Sequence, residues 1–210
     1  MTMIKSVIAA AVLAVALVAP AMASETPAPA KQQWSFKGPF GTFDRSALQR
    51  GFQIYKEVCS ACHAMRQVYF RNLAALGYNE DEIKALAASV EVQDGPNDEG
   101  VMFNRPGRPY DRFKSPFPND NAARAANNGA LPPDLSVITK ARHHGADYIY
   151  ALMTGYKPAP ASMKMPDGMS YNTAFAGAQI AMVSPLSEGS VTYADGTKAT
   201  VPQMAHDVVT

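Results

Sequence analysis

The chemistry of this chain is concentrated in Cys59-Ser60-Ala61-Cys62-His63. These are the only two cysteines in 210 residues, three positions apart, with a histidine directly after the second. At that spacing two thiols can add to the two vinyl groups of one haem while the adjacent imidazole lies under the iron. Two other chemistries use a cysteine pair. A dithiol redox site wants a βαβ context, and the flanking pattern here is helical. A structural zinc site wants four ligands at paired spacings, and no second pair exists. The expected cofactor is one haem c, bound covalently through Cys59 and Cys62, with His63 as proximal ligand.

A haem held by His63 alone could bind gas or activate peroxide, whereas a sixth ligand closes the iron into an electron carrier. A methionine thioether there favours ferrous iron and raises the potential. Met65 is too close in sequence to cross the ring. Met153 and Met204 fall on apolar helical faces and read as core. Met165-Pro166 resembles the ligand pattern of small soluble cytochromes c, and Met182 lies in the apolar segment Gln179–Pro185. Spacing does not choose between these two. His143, His144 and His206 are rival ligands, although a surface or hydrogen-bonding role suits each of them better.

Composition sets the compartment and the partner class. A formal net charge of +1, with no long basic run, argues against a nucleic-acid partner. Residues 1–23 read as a bacterial export signal: Lys5, the apolar run Val7–Ala19, a break at Pro20, and Ala21-Met22-Ala23 as the cleavage site. The run of 13 is short for a membrane span, which needs ~20 residues. Export fits covalent haem attachment, which bacteria carry out beyond the cytoplasmic membrane. The remaining 24–210 reads as one haem domain.

The elements that must position the motif follow from periodicity. Asp44 is a plausible cap for a helix from Arg45 to Val58, with Leu48, Phe52, Tyr55 and Val58 on one face. Gly51 within it costs ~1 kcal/mol relative to Ala, which suggests close approach of another helix or simple tolerance. Asn79 caps a second helix, with Glu80, Asp81 and Glu82 in its first turn. Residues 80–99 hold seven acids against Lys84 alone, a solvated face or a docking patch for a basic partner. A long loop is expected over 94–120, then a short helix from Asn119 or Asp120. Gly145–Met153 predicts a helix, Asp195-Gly196 a small hairpin over 191–197, and Thr200 with Gln203 a capping box opening a last helix. The fold class is mainly α, with long loops and a small β-hairpin.

These residues resemble the cytochrome c1 family, the haem subunit of the cytochrome bc1 complex. The resemblance rests on Trp34-Ser35, the run Arg50–His63, and Ala122–Ser136 with its Asn127-Asn128-Gly129-Ala130-Leu131-Pro132-Pro133-Asp134 core. Ala141-Arg142-His143, Asp147-Tyr148, Thr154-Gly155-Tyr156 and Ala178–Met182 extend it. It implies a cytochrome c-like helical fold around one haem, with Met182 rather than Met165 as sixth ligand. Pro132-Pro133 would pack beside the haem. Arg142 and Tyr148 would pair with its propionates, and Asn127 would order its edge. The implied role is electron transfer from the Rieske iron–sulfur protein to a soluble cytochrome c, alongside cytochrome b, on the periplasmic side of the bacterial inner membrane. The chain would do no bond chemistry of its own. The resemblance also gives weight to the acidic run as a docking patch for a basic cytochrome c. Family members continue into a membrane anchor, so a truncated chain is expected. A free periplasmic cytochrome c using Met165, and a haem enzyme or sensor with an open sixth position, are the other readings.

Overall fold

The computed structural model describes residues 28–210, so the expected export signal at 1–23 lies outside the described residues. Five α-helices run through this region: α1 (Arg45–Glu57), α2 (Glu80–Ala88), α3 (Asp120–Ala126), α4 (Gly145–Thr154) and α5 (Val201–Val209). Two two-stranded antiparallel ladders accompany them, β1 (Glu91–Asp94) with β2 (Phe103–Pro106), and β3 (Ser170–Tyr171) with β4 (Gln179–Ile180). The fold is mainly α with small β elements. No helix among the described residues is long and apolar enough to cross a membrane.

Helix α1 carries the motif at its C-terminal end. Asp44 caps it, its Oδ1 accepting from Ser46 N at 2.8 Å and Ala47 N at 3.3 Å, which satisfies two of the orphan donors of the first turn. Its deepest face is Ala47, Gly51, Ile54 and Tyr55. The expected stripe of Leu48, Phe52 and Val58 is half-buried beside it. The rotation of the face follows from Gly51. A Cβ at Gly51 would lie 2.2 Å from the Asp207 carbonyl oxygen, so α1 and α5 touch backbone to backbone there. Close approach, and not mere tolerance, explains the glycine.

The core has two lobes. One gathers Ile54, Leu186, Val191, Tyr193, Met204 and Ala205 between α1 and α5. The other gathers Tyr55, Phe70, Leu73, Ile83, Ala87 and Phe113 between α1 and α2. Cys59 packs against both.

Two local expectations fail. A hairpin forms at 91–106, running into the stretch expected to be loop from 94, with Glu91 opposite Pro106 and Asp94 opposite Phe103. Both faces of its strands carry polar residues beside Val92 and Phe103, so no apolar alternation announces them. The Arg105 guanidinium supports it by donating to Asp94 and to Asp111. At 191–197 the turn forms, with Asp195 Oδ1 accepting from Thr197 N at 2.9 Å, but the flanks do not pair. Val191 and Tyr193 are instead buried in the first core lobe, and Gln53 Nε2 donates to the Thr192 carbonyl. The α5 cap is half of the expected box: Thr200 Oγ1 accepts from Gln203 N at 3.3 Å, while the Gln203 side chain reaches Asp207.

The segment before α1 straps α4 to α5. Asp147, buried at the start of α4, accepts from Gln32 N (3.0 Å), Trp34 Nε1 (2.6 Å) and Lys37 Nζ (2.8 Å). Trp34 also stacks on His206 of α5 at 4.8 Å between centroids. Burial pulls the Asp147 carboxyl upward, but the Lys37 ammonium and the two N–H donors outweigh it and hold it below its usual range. A depressed carboxyl stabilises the fold above its unfolded value, about 3.9, and that contribution vanishes as pH falls through the lower folded value. Acid titration below about pH 4 should therefore release the strap. The fluorescence of Trp34, the only tryptophan, reports it. Asp147→Asn should show the released signal at neutral pH, and an unchanged signal in that variant would contradict the assignment.

Candidate haem site

The chain leaves α1 through a tight 3-10 turn at Cys59–Ala61, where Cys62 N and His63 N both donate to the Cys59 carbonyl, at 3.1 and 2.9 Å. This turn presents Cys59, half-buried, and Cys62, exposed, as free thiols. Burial, with Cys62 beside it, pushes the Cys59 thiol up to about 11. Tyr55, one turn back along α1, supports the turn through its hydroxyl, which donates to the His63 carbonyl at 3.4 Å. Burial, together with Cys59 and Asp134, raises that phenol to about 12, so it stays a neutral donor.

His63 is oriented by Pro133. Its Nδ1 donates to the Pro133 carbonyl oxygen at 2.8 Å, which leaves Nε2 as the ring's free lone pair. A ligating histidine whose other nitrogen donates to a carbonyl is fixed in tautomer and made more basic. The 132–136 segment is itself zipped onto the residues after the motif. Leu135 N donates to the Ala64 carbonyl (2.8 Å), Arg66 N to Asp134 Oδ2 (2.8 Å) and Gln67 N to Ser136 Oγ (3.0 Å). Asp134 Oδ1 accepts from Ser136 N at 2.8 Å, closing a local turn. Pro133 acts through its carbonyl, and its side chain is exposed. Asn127 ends α3, its Nδ2 donating to the Ala123 carbonyl at 2.7 Å. It shapes the turn through Asn128 and Gly129, both with positive φ, that leads into the Pro-Pro segment.

The second half of the site hangs on α4. Tyr148 is half-buried on this helix. Burial raises its phenol, and the Arg142 guanidinium close by opposes the rise, so the two residues share one neighbourhood. Arg142 is exposed. Met182 is half-buried just past β4, and Tyr156 Oη donates to its carbonyl at 3.1 Å. The β3–β4 ladder pairs Ser170 with Ile180 and Tyr171 with Gln179. Asn172, fully buried, ties this loop to α4. Its Nδ2 donates to Leu152 O at 2.8 Å, its Oδ1 accepts from Ala174 N at 2.9 Å, and its N–H donates to Ala178 O at 3.0 Å. Tyr156 and Asn172 were not singled out as site residues in the sequence. Tyr156 had a signal in the Thr154-Gly155-Tyr156 triplet of the family resemblance, and Asn172 had none.

Helix α5 packs on both α1 and α4, and so joins the half that carries the thiols to the half that carries Met182. His143 and His144 are exposed, and His206 is committed to the strap. Met165 is half-buried in an irregular loop, and Met204 is fully buried in the core. Among the described residues no three His, Cys, Asp or Glu side chains cluster as a metal site would require. Two free thiols on one turn and an imidazole with one nitrogen committed form the donor set that a covalently attached haem takes.

A family model described as the cytochrome C1 family matches residues 34–210. The potato protein "Cytochrome c1-2, heme protein, mitochondrial" is 51% identical over 176 residues, covering 84% of this chain and 68% of that one. "Cytochrome c1" of Rhodospirillum rubrum is 47% identical over 225 residues, covering 99% and 83%. "Cytochrome b/c1" of Bradyrhizobium diazoefficiens is 49% identical over 204 residues, covering 87% of this chain but 30% of its own length. From Trp34 to Thr210, by motif, by architecture and by these matches, the chain belongs to the cytochrome c1 family.

Proposed function

We propose that this chain is the c-type cytochrome subunit of a quinol–cytochrome c reductase of the bc1 type, passing electrons from the Rieske iron–sulfur protein to a soluble cytochrome c. The observation that carries the reading is the 2.8 Å bond from His63 Nδ1 to the Pro133 carbonyl. It commits the imidazole to one tautomer and presents Nε2 as an iron ligand. When bound, the haem supplies a one-electron iron couple. Cys59 and Cys62 would hold it by thioethers, and His63 and Met182 would supply its two iron ligands. Tyr156 and Asn172 fix the backbone on either side of the Met182 loop, which limits the reorganisation accompanying each electron. Arg142 and Tyr148 offer a charge and a donor to the propionates. Asn127 and the Pro133 carbonyl shape the segment beside the ring. The chain's own residues break no bond, so it is an electron carrier within a larger enzyme. Cytochrome b is its expected membrane partner, and the export signal expected from the sequence puts it on the periplasmic side of the bacterial inner membrane. The acidic side chains of α2 and the β1–β2 hairpin would steer a basic cytochrome c.

Two measurements test this. The haem-loaded protein, reduced and exposed to carbon monoxide, should bind it slowly or not at all, because both axial positions are filled. Rapid binding with a five-coordinate spectrum would point to a gas-binding or peroxide site. Mild detergent extraction from its own membranes should bring down cytochrome b and an iron–sulfur protein with it. Recovery as a free single chain would favour an independent periplasmic carrier.

A further inference from the structure

Outside the haem site, α1 and α2 enclose a second concavity. Phe52, Tyr55, Phe70 and Phe113 line a pocket of about 250 Å³, closed on the α2 side by Leu86 and Val90. None of Cys59, Cys62, His63 or Met182 lines it. Three of its aromatic rings, Tyr55, Phe70 and Phe113, are among the most buried in the chain, so its walls are preformed. It is smaller than the roughly 300–1,000 Å³ typical of sites that enclose a whole small molecule, and suits one large apolar side chain. Two exposed lysines, Lys56 and Lys114, stand in its rim. Among the described residues neither forms a salt bridge. The nearest acid along α1, Glu57, accepts from Gln53.

The pocket has a neighbour. The segment Lys114–Pro116 forms one of its walls and also lines an open groove of about 670 Å³ that continues past Phe117 to Arg66 and Asp120. Arg66 and Asp120 are paired there only at 3.7 Å, with both side chains more than half exposed. An exposed pair that loose is worth little and yields easily to an incoming carboxylate. An aromatic-lined pocket, a basic rim and an adjoining open groove form the anatomy of an anchor site for a peptide segment.

We propose that this pocket and groove dock a segment of a partner protein in which one large apolar anchor residue is flanked by carboxylates. The anchor fills the aromatic pocket, and the flanking acids pair with Lys56, Lys114 and Arg66. The sign of charge is opposite to that of the acidic face at 80–99, so the two surfaces select different partners. The site adjoins the haem turn directly, because Ser60 of that turn borders the pocket.

The test uses the haem-loaded protein and three short synthetic peptides, followed by calorimetry at low salt. One has a central phenylalanine between glutamates, one has alanine at the centre, and one replaces the glutamates by glutamines. The first should bind, and each of the others should bind at least about tenfold more weakly, the scale of losing one anchor or its paired charges. Ser89→Trp, placed to fill the pocket from its exposed rim, should abolish binding of the first peptide. Lys56→Glu with Lys114→Glu should reduce it at least about tenfold while the haem spectrum stays unchanged. Equal binding of the phenylalanine and alanine peptides would reduce the site to unspecific charge and overturn the proposal. So would binding that survives Ser89→Trp, or preferential binding to phosphatidylglycerol vesicles over all three peptides.

Discussion

Asp207→Ala should cost this protein about 3–5 kcal/mol, the loss expected when one partner of a buried ion pair is removed. The Asp207 side chain is fully buried, and Arg50 is 15% exposed. Arg50 Nε and Nη2 donate to the two carboxylate oxygens at 2.8 and 2.9 Å. Gln203 Nε2 adds 3.1 Å bonds to each. Without the carboxylate, Arg50 keeps only Asp195, which is 43% exposed, and the buried end of the guanidinium has nothing to accept from it. The damage falls where α1 and α5 meet at Gly51, with no side chain between the backbones to absorb a shift. Typical domains have only about 5–15 kcal/mol in total, so the variant should unfold at a much lower urea midpoint. Exchanging the pair for apolar residues, Arg50→Met with Asp207→Leu, should recover much of the loss. A midpoint shift worth less than about 1 kcal/mol in Asp207→Ala would place the clamp among the weakly contributing surface pairs.

Met182→Ala should lower the reduction potential of the haem-loaded protein by on the order of a few hundred millivolts, within the ~0.8 V range that axial ligation spans. The direction follows from the thioether's preference for ferrous iron. The reduced variant should also become open to carbon monoxide. Met165→Ala should change neither property, because Met165 sits in an irregular loop without the support that Tyr156 and the β3–β4 ladder give Met182. A redox titration of both variants decides the ligand. If the larger drop came with Met165→Ala, the assignment would pass to that residue.

Most of the architecture was legible because short-range chemistry specified it. The caps at Asp44, Asn79, Asn119 and Thr200 all lie where their side chains can reach free N–H groups, and each starts a helix. The Cys59–His63 motif was legible because its spacing matches the two vinyl groups and the iron of one haem. Long-range demands were not legible. Asp195-Gly196 is a good turn, but the first core lobe took Val191 and Tyr193 and left no strands to pair. Glu91–Asp94 pairs with a strand whose Arg105 ties it to Asp94 and to Asp111 beyond the hairpin, which no local pattern encodes. Within the site, the Pro133 ring drew attention, whereas the useful atom is a backbone oxygen. Sequence shows side chains, and carbonyl directions emerge only once the 132–136 segment is laid along Ala64 to Gln67.

The strap and the clamp together have a consequence for the order of assembly. Trp34 finds its acceptor 113 residues later, and Arg50 finds Asp207 after 157. A chain that crosses a membrane from its N-terminus delivers both seekers long before their targets. Until α5 arrives, α1 lacks the lobe that holds Ile54, and Cys59 is backed only by the lobe between α1 and α2. Contacts so distant in sequence form slowly, which leaves an interval in which both thiols are accessible to covalent chemistry. On the proposed haem attachment, topology would act as a timer, with the thioethers made on an open chain and the core closing behind Cys59 afterwards.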